Sequence, residues 1–110
     1  MSVIDLNTYN SLKDATGSDF VNELMDTFLE DTRGLIAQMR GALAKKDAES
    51  FRRAAHTIKS NAATFGASHL SSLARELEGK GRDNDLEIGN RLEVLEEAFQ
   101  SAKSQLIELR

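Results

Sequence analysis

The sequence predicts an all-α protein, an antiparallel four-helix bundle with a short additional helix at its N-terminus. Apolar residues recur in steps of three and four along most of the chain, which is the spacing of one helix face. The 110 residues include no proline and only seven glycines, and they lack the β-branched and aromatic runs of strands. A helical bundle is also the simplest core that so short a chain can build without disulfides.

The first two elements are a short helix and a long one. The short helix is predicted over Asp5 to about Ala15 and is closed by Gly17. Ser18 or Asp19 can then cap a long helix that runs to about Lys45. The apolar stripe of this long helix consists of Val21, Leu24, Met25, Phe28, Leu29, Leu35, Ile36, Met39 and Leu43.

The third and fourth helices are predicted from capping residues and glycines. Asp47 can cap the third helix, which runs to about Phe65 and ends at Gly66. Ser68 can cap the fourth helix, which stops in a turn at Gly79–Lys80–Gly81. The apolar positions of the fourth helix are Leu70, Leu73 and Leu77.

The last helix is predicted to begin near Asn84, because Glu87 follows three residues later and the pair resembles a capping box. Short turns between four amphipathic helices make neighbours antiparallel, and we expect residues 1–110 to form one domain. The apolar positions of the last helix are Ile88, Leu92, Leu95, Phe99, Ala102, Leu106 and Leu109.

Composition narrows the classes of function. The net charge of −4 and the lack of a basic stripe argue against a nucleic-acid partner. Without cysteine, the chain has neither disulfides nor a thiolate metal site. No apolar stretch approaches the ~20 residues of a membrane span, and no secretory signal precedes the first helix. We therefore expect a cytoplasmic protein that does not bind membranes.

His56 is predicted to lie on the outer face of the third helix. At about 100° per residue, it falls roughly 150° from the centre of the buried stripe. That stripe consists of Phe51, Ala55, Ile58, Ala62 and Phe65, with Ala54 at its flank. The residues that share the face of His56 are Arg52, Lys59, Ser60 and Ala63, with Gly66 at its edge.

A lone surface histidine is usually only solvated, but the surroundings of His56 favour a function. Ser60 and Ala63 are small where an exposed helix usually carries long charged residues, and they leave room for another protein. Lys59 is three residues from His56, where its ammonium can reach a phosphate on the imidazole.

These residues resemble a known family. Residues 55–66, AHTIKSNAATFG, resemble the signature of histidine-containing phosphotransfer (HPt) domains. That signature has a phospho-accepting histidine, a lysine three residues on, a small residue next and a glycine ten residues after the histidine. Ser60 departs from it, since the family usually has glycine there. The similarity continues through residues 67–77, and the predicted helices fit the family over nearly the whole chain.

The resemblance implies that His56 accepts a phosphoryl group from the aspartate of a receiver domain and passes it to another receiver. The partners would be response-regulator receiver domains, including one within a hybrid sensor histidine kinase. Lys59 would stabilise the phosphate, whereas Arg52 and Arg53 would attract an acidic partner surface. The positions expected to allow close approach are Ser60, Ala63 and Gly66.

Glu78 is a further candidate, because it and His56 are equally distant in sequence from the predicted turn at Ala67. The two side chains should therefore lie at similar heights on neighbouring helices. A carboxylate there can accept a hydrogen bond from Nδ1 and leave Nε2 free as the nucleophile. A solvated glutamate near the helix end is the alternative, and the sequence leaves both open.

The chain is predicted to carry a phosphoryl group and not to act as an enzyme. Neutral imidazole is a nucleophile at pH 7 without an adjacent base. The chain has no glycine-rich phosphate loop and no acidic triplet for magnesium, so it cannot use ATP to phosphorylate itself. We expect no cofactor or metal of its own, and Mg²⁺ only on the partner receiver domain.

Two other functions compete with the phosphoryl carrier. A di-iron bundle needs Glu-x-x-His pairs, and neither His56 nor His69 has a glutamate three residues before it. A helical adaptor that binds or sequesters a receiver domain without being phosphorylated is the second alternative. We expect a monomer. The sequence does not indicate the cognate receiver, the stimulus, the direction of phosphoryl flow, or whether the chain belongs to a larger kinase.

Overall fold

The computed structural model describes residues 3–110, and this part of the chain contains five α-helices and no strand. The 28 residues of the longest helix rise about 42 Å, which matches the 41 Å longest dimension of the molecule. The prediction of an all-α bundle with a short N-terminal helix is confirmed. The helices are α1 (Leu6–Thr16), α2 (Ser18–Lys45), α3 (Ala48–Thr64), α4 (Ser68–Arg82) and α5 (Arg91–Leu109).

All five helices contribute to one hydrophobic core, and the most extensive contact is between α3 and α4. The predicted stripe of α3 is buried, and its last member, Phe65, stacks on Phe28 of α2 with ring centroids 4.9 Å apart. Phe51, Met25 and Met39 are fully buried, so packing accounts for them, as expected. No helix within residues 3–110 is long and apolar enough to cross a membrane.

Two helices begin at an aspartate that caps them. The carboxylate of Asp5 accepts hydrogen bonds from the backbone N–H groups of Asn7 and Thr8, so Asp5 is the cap of α1 and not its first residue. Asp47 accepts from the backbone N–H of Ser50 at 3.1 Å, as predicted for α3. Such caps satisfy donors that have no partner within the helix.

The predicted caps of α2 and α4 are wrong. Gly17 and Ala67 occupy these positions, and neither helix has a side-chain cap. The end of α3 explains the shift at α4. Gly66 has a φ of 79°, and the N–H groups of Gly66 and Ala67 bond back to the carbonyl groups of Ala63 and Ala62. This closure brings the buried Ala67 directly before α4 and makes Ser68 the first helical residue.

The predicted turn at Gly79–Lys80–Gly81 is also wrong, because α4 continues through it to Arg82. A methyl group on Gly81 would lie 3.0 Å from Cβ of Arg52 and 3.1 Å from the Arg52 backbone. Gly81 therefore allows α3 and α4 to approach closely, and it does not end the helix.

The predicted capping box at Asn84 and Glu87 does not form. Asn84 has a left-handed φ of 58° and lies just after the end of α4, whereas α5 begins only at Arg91. The backbone N–H of Glu87 donates to the carboxylate of Asp85 in the connecting loop. Ile88 is buried as predicted, but from this loop and not from the helix.

The N-terminal segment closes the end of the α3–α4 hairpin. The N–H of Asp5 donates to the carbonyl of Gly66 at 2.7 Å. A Cβ on Gly66 would lie 2.7 Å from the carbonyl oxygen of Asp5, so only glycine fits this contact. The opposite half of the α3–α4 pair, around His56, is left uncovered by α1.

Candidate functional site

His56 lies on the outer face of α3, as its position on the helical wheel predicted. Its side chain is 54% exposed, whereas Ala55 and Ile58 on the opposite face are fully buried. The imidazole is therefore open to water and to another protein, although it is anchored at one nitrogen.

That anchor is Glu78 of α4. The Nδ1 atom of His56 lies 2.7 Å from Oε2 of Glu78, and the glutamate side chain is only 5% exposed. The alternative of a solvated glutamate near the helix end is thus wrong. Glu78 and His56 do lie at the same height on neighbouring helices, and the carboxylate is held between them.

Lys59 and Arg82 also contact the carboxylate of Glu78. The Nζ atom of Lys59 lies 2.7 Å from Oε1, and the lysine side chain is 29% exposed. Arg82 is more loosely placed, with Nη2 at 3.5 Å from Oε2 and a side chain that is 65% exposed. One buried carboxylate therefore joins the histidine to two cations.

These contacts determine the charge of Glu78. The hydrogen bond from Lys59 lowers the pKa of Glu78 below its ordinary value, and the bond from His56 acts in the same direction. Burial opposes both by raising the pKa, but the donors prevail. An ionised carboxylate can only accept, so Nδ1 of His56 donates this hydrogen bond, and in the neutral imidazole the lone pair is then on Nε2.

The packing of α3 against α4 holds these side chains in place. The hydroxyl of Ser71 in α4 donates to the backbone carbonyl of Lys59 in α3 at 2.9 Å. At the other side of the site, Gly81 brings α4 against the backbone of Arg52. Two close contacts between the helices thus bracket the pair formed by His56 and Glu78.

Arg52 and Arg53, predicted to attract a partner, both lie near Glu49. Arg52 binds this glutamate through Nη2 at 2.6 Å and Nε at 3.2 Å, a two-point contact that raises the pKa of the arginine. Arg53 is exposed, and its Nε lies 3.8 Å from Oε1 of Glu49. Glu49 thus offsets part of the positive charge of this pair.

Of the three positions predicted to allow close approach, Ser60 and Ala63 are exposed beside His56. Gly66 is not part of that face. It is buried under Asp5 and Thr8, and its small size serves the contact with the N-terminal segment. The reason is that the helix ends at Thr64, so the angular position of Gly66 on an ideal helix no longer applies.

Sequence reasoning missed two features of the site. Arg82 was missed because α4 was predicted to stop at Gly81, although it lies one turn after Glu78 in the continued helix. The second feature is a groove between α2 and α3, which Thr57, the neighbour of His56 in sequence, helps to line. Its lining residues are Leu35, Gln38, Ser50, Arg53, Ala54 and Thr57, and Glu30, Asp31 and Gly34 continue it along α2.

The described residues contain no group of three or more histidine, aspartate or glutamate side chains that could hold a metal ion. The groups that the site presents are the imidazole of His56, the buried carboxylate of Glu78 and the two nearby cations.

Comparison with known proteins identifies the family of this chain. The sequence model of the Hpt domain matches residues 23–106, and the chain belongs to the Hpt domain family. Members of this family carry phosphoryl groups in two-component phosphorelays, where they interact with receiver domains, and they are not catalytic enzymes.

A solved structure is similar over almost the whole chain. It is the crystal structure of histidine-containing phosphotransfer protein B (HptB) from Pseudomonas aeruginosa PAO1. The two share 26% sequence identity with a TM-score of 0.87, over 96% of this chain and 91% of that chain. No curated protein sequence matches this chain.

Proposed function

We propose that His56 accepts a phosphoryl group from the aspartyl phosphate of one receiver domain and passes it to the aspartate of another. The observation that carries the proposal is an exposed imidazole whose Nδ1 is bound by a buried, ionised carboxylate. Family membership supplies the class of reaction, and this geometry supports His56 as the acceptor rather than His69.

The transfer needs no proton to leave the site. The lone pair on Nε2 attacks phosphorus, the Nε2–P bond forms, and the bond between phosphorus and the aspartate oxygen breaks. The electron pair of that bond stays on the receiver carboxylate, while the proton stays on Nδ1. In the reverse step the same bonds exchange, and the ring leaves as neutral imidazole.

Glu78 has a direct electrostatic role in this step. As Nε2 bonds to phosphorus with Nδ1 still protonated, the ring gains positive charge, and a carboxylate 2.7 Å from Nδ1 stabilises it. The magnesium ion and the aspartate belong to the receiver domain, so positioning and charge are the main contributions of this chain.

The receiver is proposed to dock on the face that surrounds His56. Ser60 and Ala63 are small and exposed beside His56, so they leave room for a partner, and Arg53 and Thr57 of the same helix line the groove between α2 and α3. Arg53 lies at the edge of this groove and is exposed. A charge at such an edge chiefly affects the rate of encounter and the register of docking.

The test is transfer of radiolabelled phosphoryl from a phosphorylated receiver domain in the presence of magnesium. We expect label on the wild-type protein that is labile in acid and stable in alkali, as a phosphohistidine is. His56→Gln should abolish it, and His69→Gln, a change at the other histidine of the chain, should retain it. Binding without label on the wild type would indicate an adaptor and contradict the proposal.

A further inference from the structure

The two carboxylate oxygens of Glu78 bind different partners, Lys59 and His56. Oε1 is 2.7 Å from the ammonium of Lys59, and Oε2 is 2.7 Å from Nδ1 of the imidazole. The lysine side chain is also less exposed than the histidine, at 29% against 54%. The cation three residues after the histidine is therefore bound to Glu78 before any phosphate arrives.

We infer that Lys59 is a positioning residue, which acts on His56 through Glu78 and not mainly by holding the transferred phosphoryl group. The inference rests on the proposed function of His56 as the acceptor. It replaces the direct phosphate contact that the sequence suggested for Lys59 with an indirect role.

The burial of Glu78 explains why the lysine is needed. A buried carboxylate that loses its partner is strongly unfavourable. Arg82 is a weaker partner than Lys59, because its Nη2 atom lies 3.5 Å from Oε2 of Glu78 and its side chain is 65% exposed. Without Lys59, Glu78 must either take up a proton or turn towards water.

Both responses would impair His56. A protonated carboxyl group can donate to Nδ1, which favours the tautomer with its proton on Nε2 and blocks the attacking lone pair. A carboxylate that turns to water no longer orients the ring, so fewer encounters have the reacting atoms aligned. In either case the loss of Lys59 lowers the reactivity of Nε2 through its effect on Glu78.

Glu78→Gln separates this role from direct phosphate contact. The amide oxygen of glutamine can still accept from Nδ1, but the side chain is neutral and needs no cation. If Lys59 acts through Glu78, its removal should matter little once residue 78 is neutral. If Lys59 holds the phosphoryl group, its removal should cost the same in both backgrounds.

The experiment is a double-mutant cycle of wild type, Lys59→Met, Glu78→Gln and the double variant, with phosphoramidate as the donor. In this reaction the Nε2–P bond forms, the P–N bond of phosphoramidate breaks, and ammonia leaves. Initial rates are followed by ³¹P NMR, so no partner contacts enter the comparison.

We expect Lys59→Met to slow the reaction about 10-fold to 100-fold, by analogy with the loss when the hydrogen-bond partner of a metal-binding histidine is changed. Glu78→Gln should slow it about fivefold, since a charged acceptor is exchanged for a neutral one. The double variant should react within about twofold of Glu78→Gln alone. A double variant that shows the product of the two single losses would overturn the inference.

Two further measurements separate a folding defect from a true effect on His56. Circular dichroism checks the fold of each variant, and long-range ¹H–¹⁵N NMR of the wild type reads the tautomer of His56 if Lys59→Met does not fold. The inference requires Nδ1–H in the wild type, and Nε2–H overturns it. A wild type that takes no phosphoryl group on His56 overturns the proposed function as well, whereas an active wild type with multiplicative losses overturns only the role of Lys59.

Discussion

Glu78 and Thr32 are the two buried residues of the described chain with polar, non-aromatic side chains, and their surroundings differ sharply. Glu78 lies between α3 and α4 with a histidine and two cations around its carboxylate. Thr32 lies in the middle of α2, and its hydroxyl has no hydrogen-bond partner within residues 3–110.

The difference indicates which buried group serves a function. A buried charge is tolerated only where partners are arranged for it, so the contacts around Glu78 are those of a built site. A buried hydroxyl without a partner costs stability and brings no chemistry. Glu96 also differs from Glu78. It pairs with Arg40 between α5 and α2, but its carboxylate remains partly exposed.

Removal of the buried carboxylate should have the largest effect. Glu78→Ala takes away the acceptor for Nδ1 of His56 and leaves Lys59 without its partner. We expect phosphoryl acceptance from phosphoramidate to fall about 10-fold to 100-fold. Glu96→Ala is the matched control, because it removes a carboxylate from an exposed ion pair, and its rate should equal that of the wild type. Equal losses of phosphoryl acceptance in the two variants would contradict the distinction between the buried carboxylate of Glu78 and the exposed one of Glu96.

The close approach of α3 and α4 that buries Glu78 should depend on Gly81. Gly81→Ala forces a methyl group against Arg52 and should lower the free energy of unfolding by about 1–3 kcal/mol. Gly79→Ala, two residues earlier in the same helix, meets nothing within 4 Å. It should raise stability by about 0.5–1 kcal/mol through better helix propensity. Urea unfolding of both variants checks the opposite signs, and destabilisation by both would contradict this account.

The charge of Glu78 should make stability depend on pH in a defined window. Because the hydrogen bond from Lys59 lowers the pKa of Glu78 in the folded state, its charge contributes stability above the ordinary value of 4.5. That contribution is lost as the pH falls through the lower folded value. The stability of the wild type relative to Glu78→Gln should therefore fall as the pH decreases below 4.5, as measured by urea unfolding. A difference in stability that stays constant across this pH range would show that the ionised form of Glu78 is not stabilised by its partners.

Thr32 should show the smallest effect, and of the opposite sign. Thr32→Val keeps the shape of the side chain and removes the unpaired hydroxyl, so unfolding should cost about 1 kcal/mol more. Thr27→Val on the exposed side of the same helix should change stability by less than about 0.5 kcal/mol. Thermal unfolding of both variants measures these changes in stability. A destabilised Thr32→Val would mean that the hydroxyl of Thr32 stabilises the fold.

The helices and the core could be predicted from the sequence because both depend on local periodicity. The stripe around Phe51 and Ile58 placed His56 on the outer face of α3, and it is exposed there. Helix ends were predicted less well. Gly81 was interpreted by its local preference for helix ends, whereas it lies inside α4 in close contact with Arg52 of α3. Asn84 was interpreted as a helix cap, whereas it has a left-handed φ just after α4.

The site was only partly predictable for the same reason. Counting residues from the turn brought Glu78 to the height of His56, but it could not show that the carboxylate is buried. Burial depends on how closely α3 and α4 pack, and Gly81 allows this approach through its contact with Arg52, a residue far from it in sequence. Arg82 likewise follows from a helix end that the sequence pattern did not locate, whereas Gly66 lies beyond the end of α3, where its position on a helical wheel no longer applies.

The most direct test of the central claim is the position of phosphorus on the ring. After reaction of the wild type with phosphoramidate, ³¹P and ¹H–¹⁵N NMR can identify which nitrogen of which histidine carries the phosphoryl group. A carboxylate bound at Nδ1 predicts one product, with phosphorus on Nε2 of His56. Phosphorus on Nδ1 of His56, or on His69 in its place, would contradict the account.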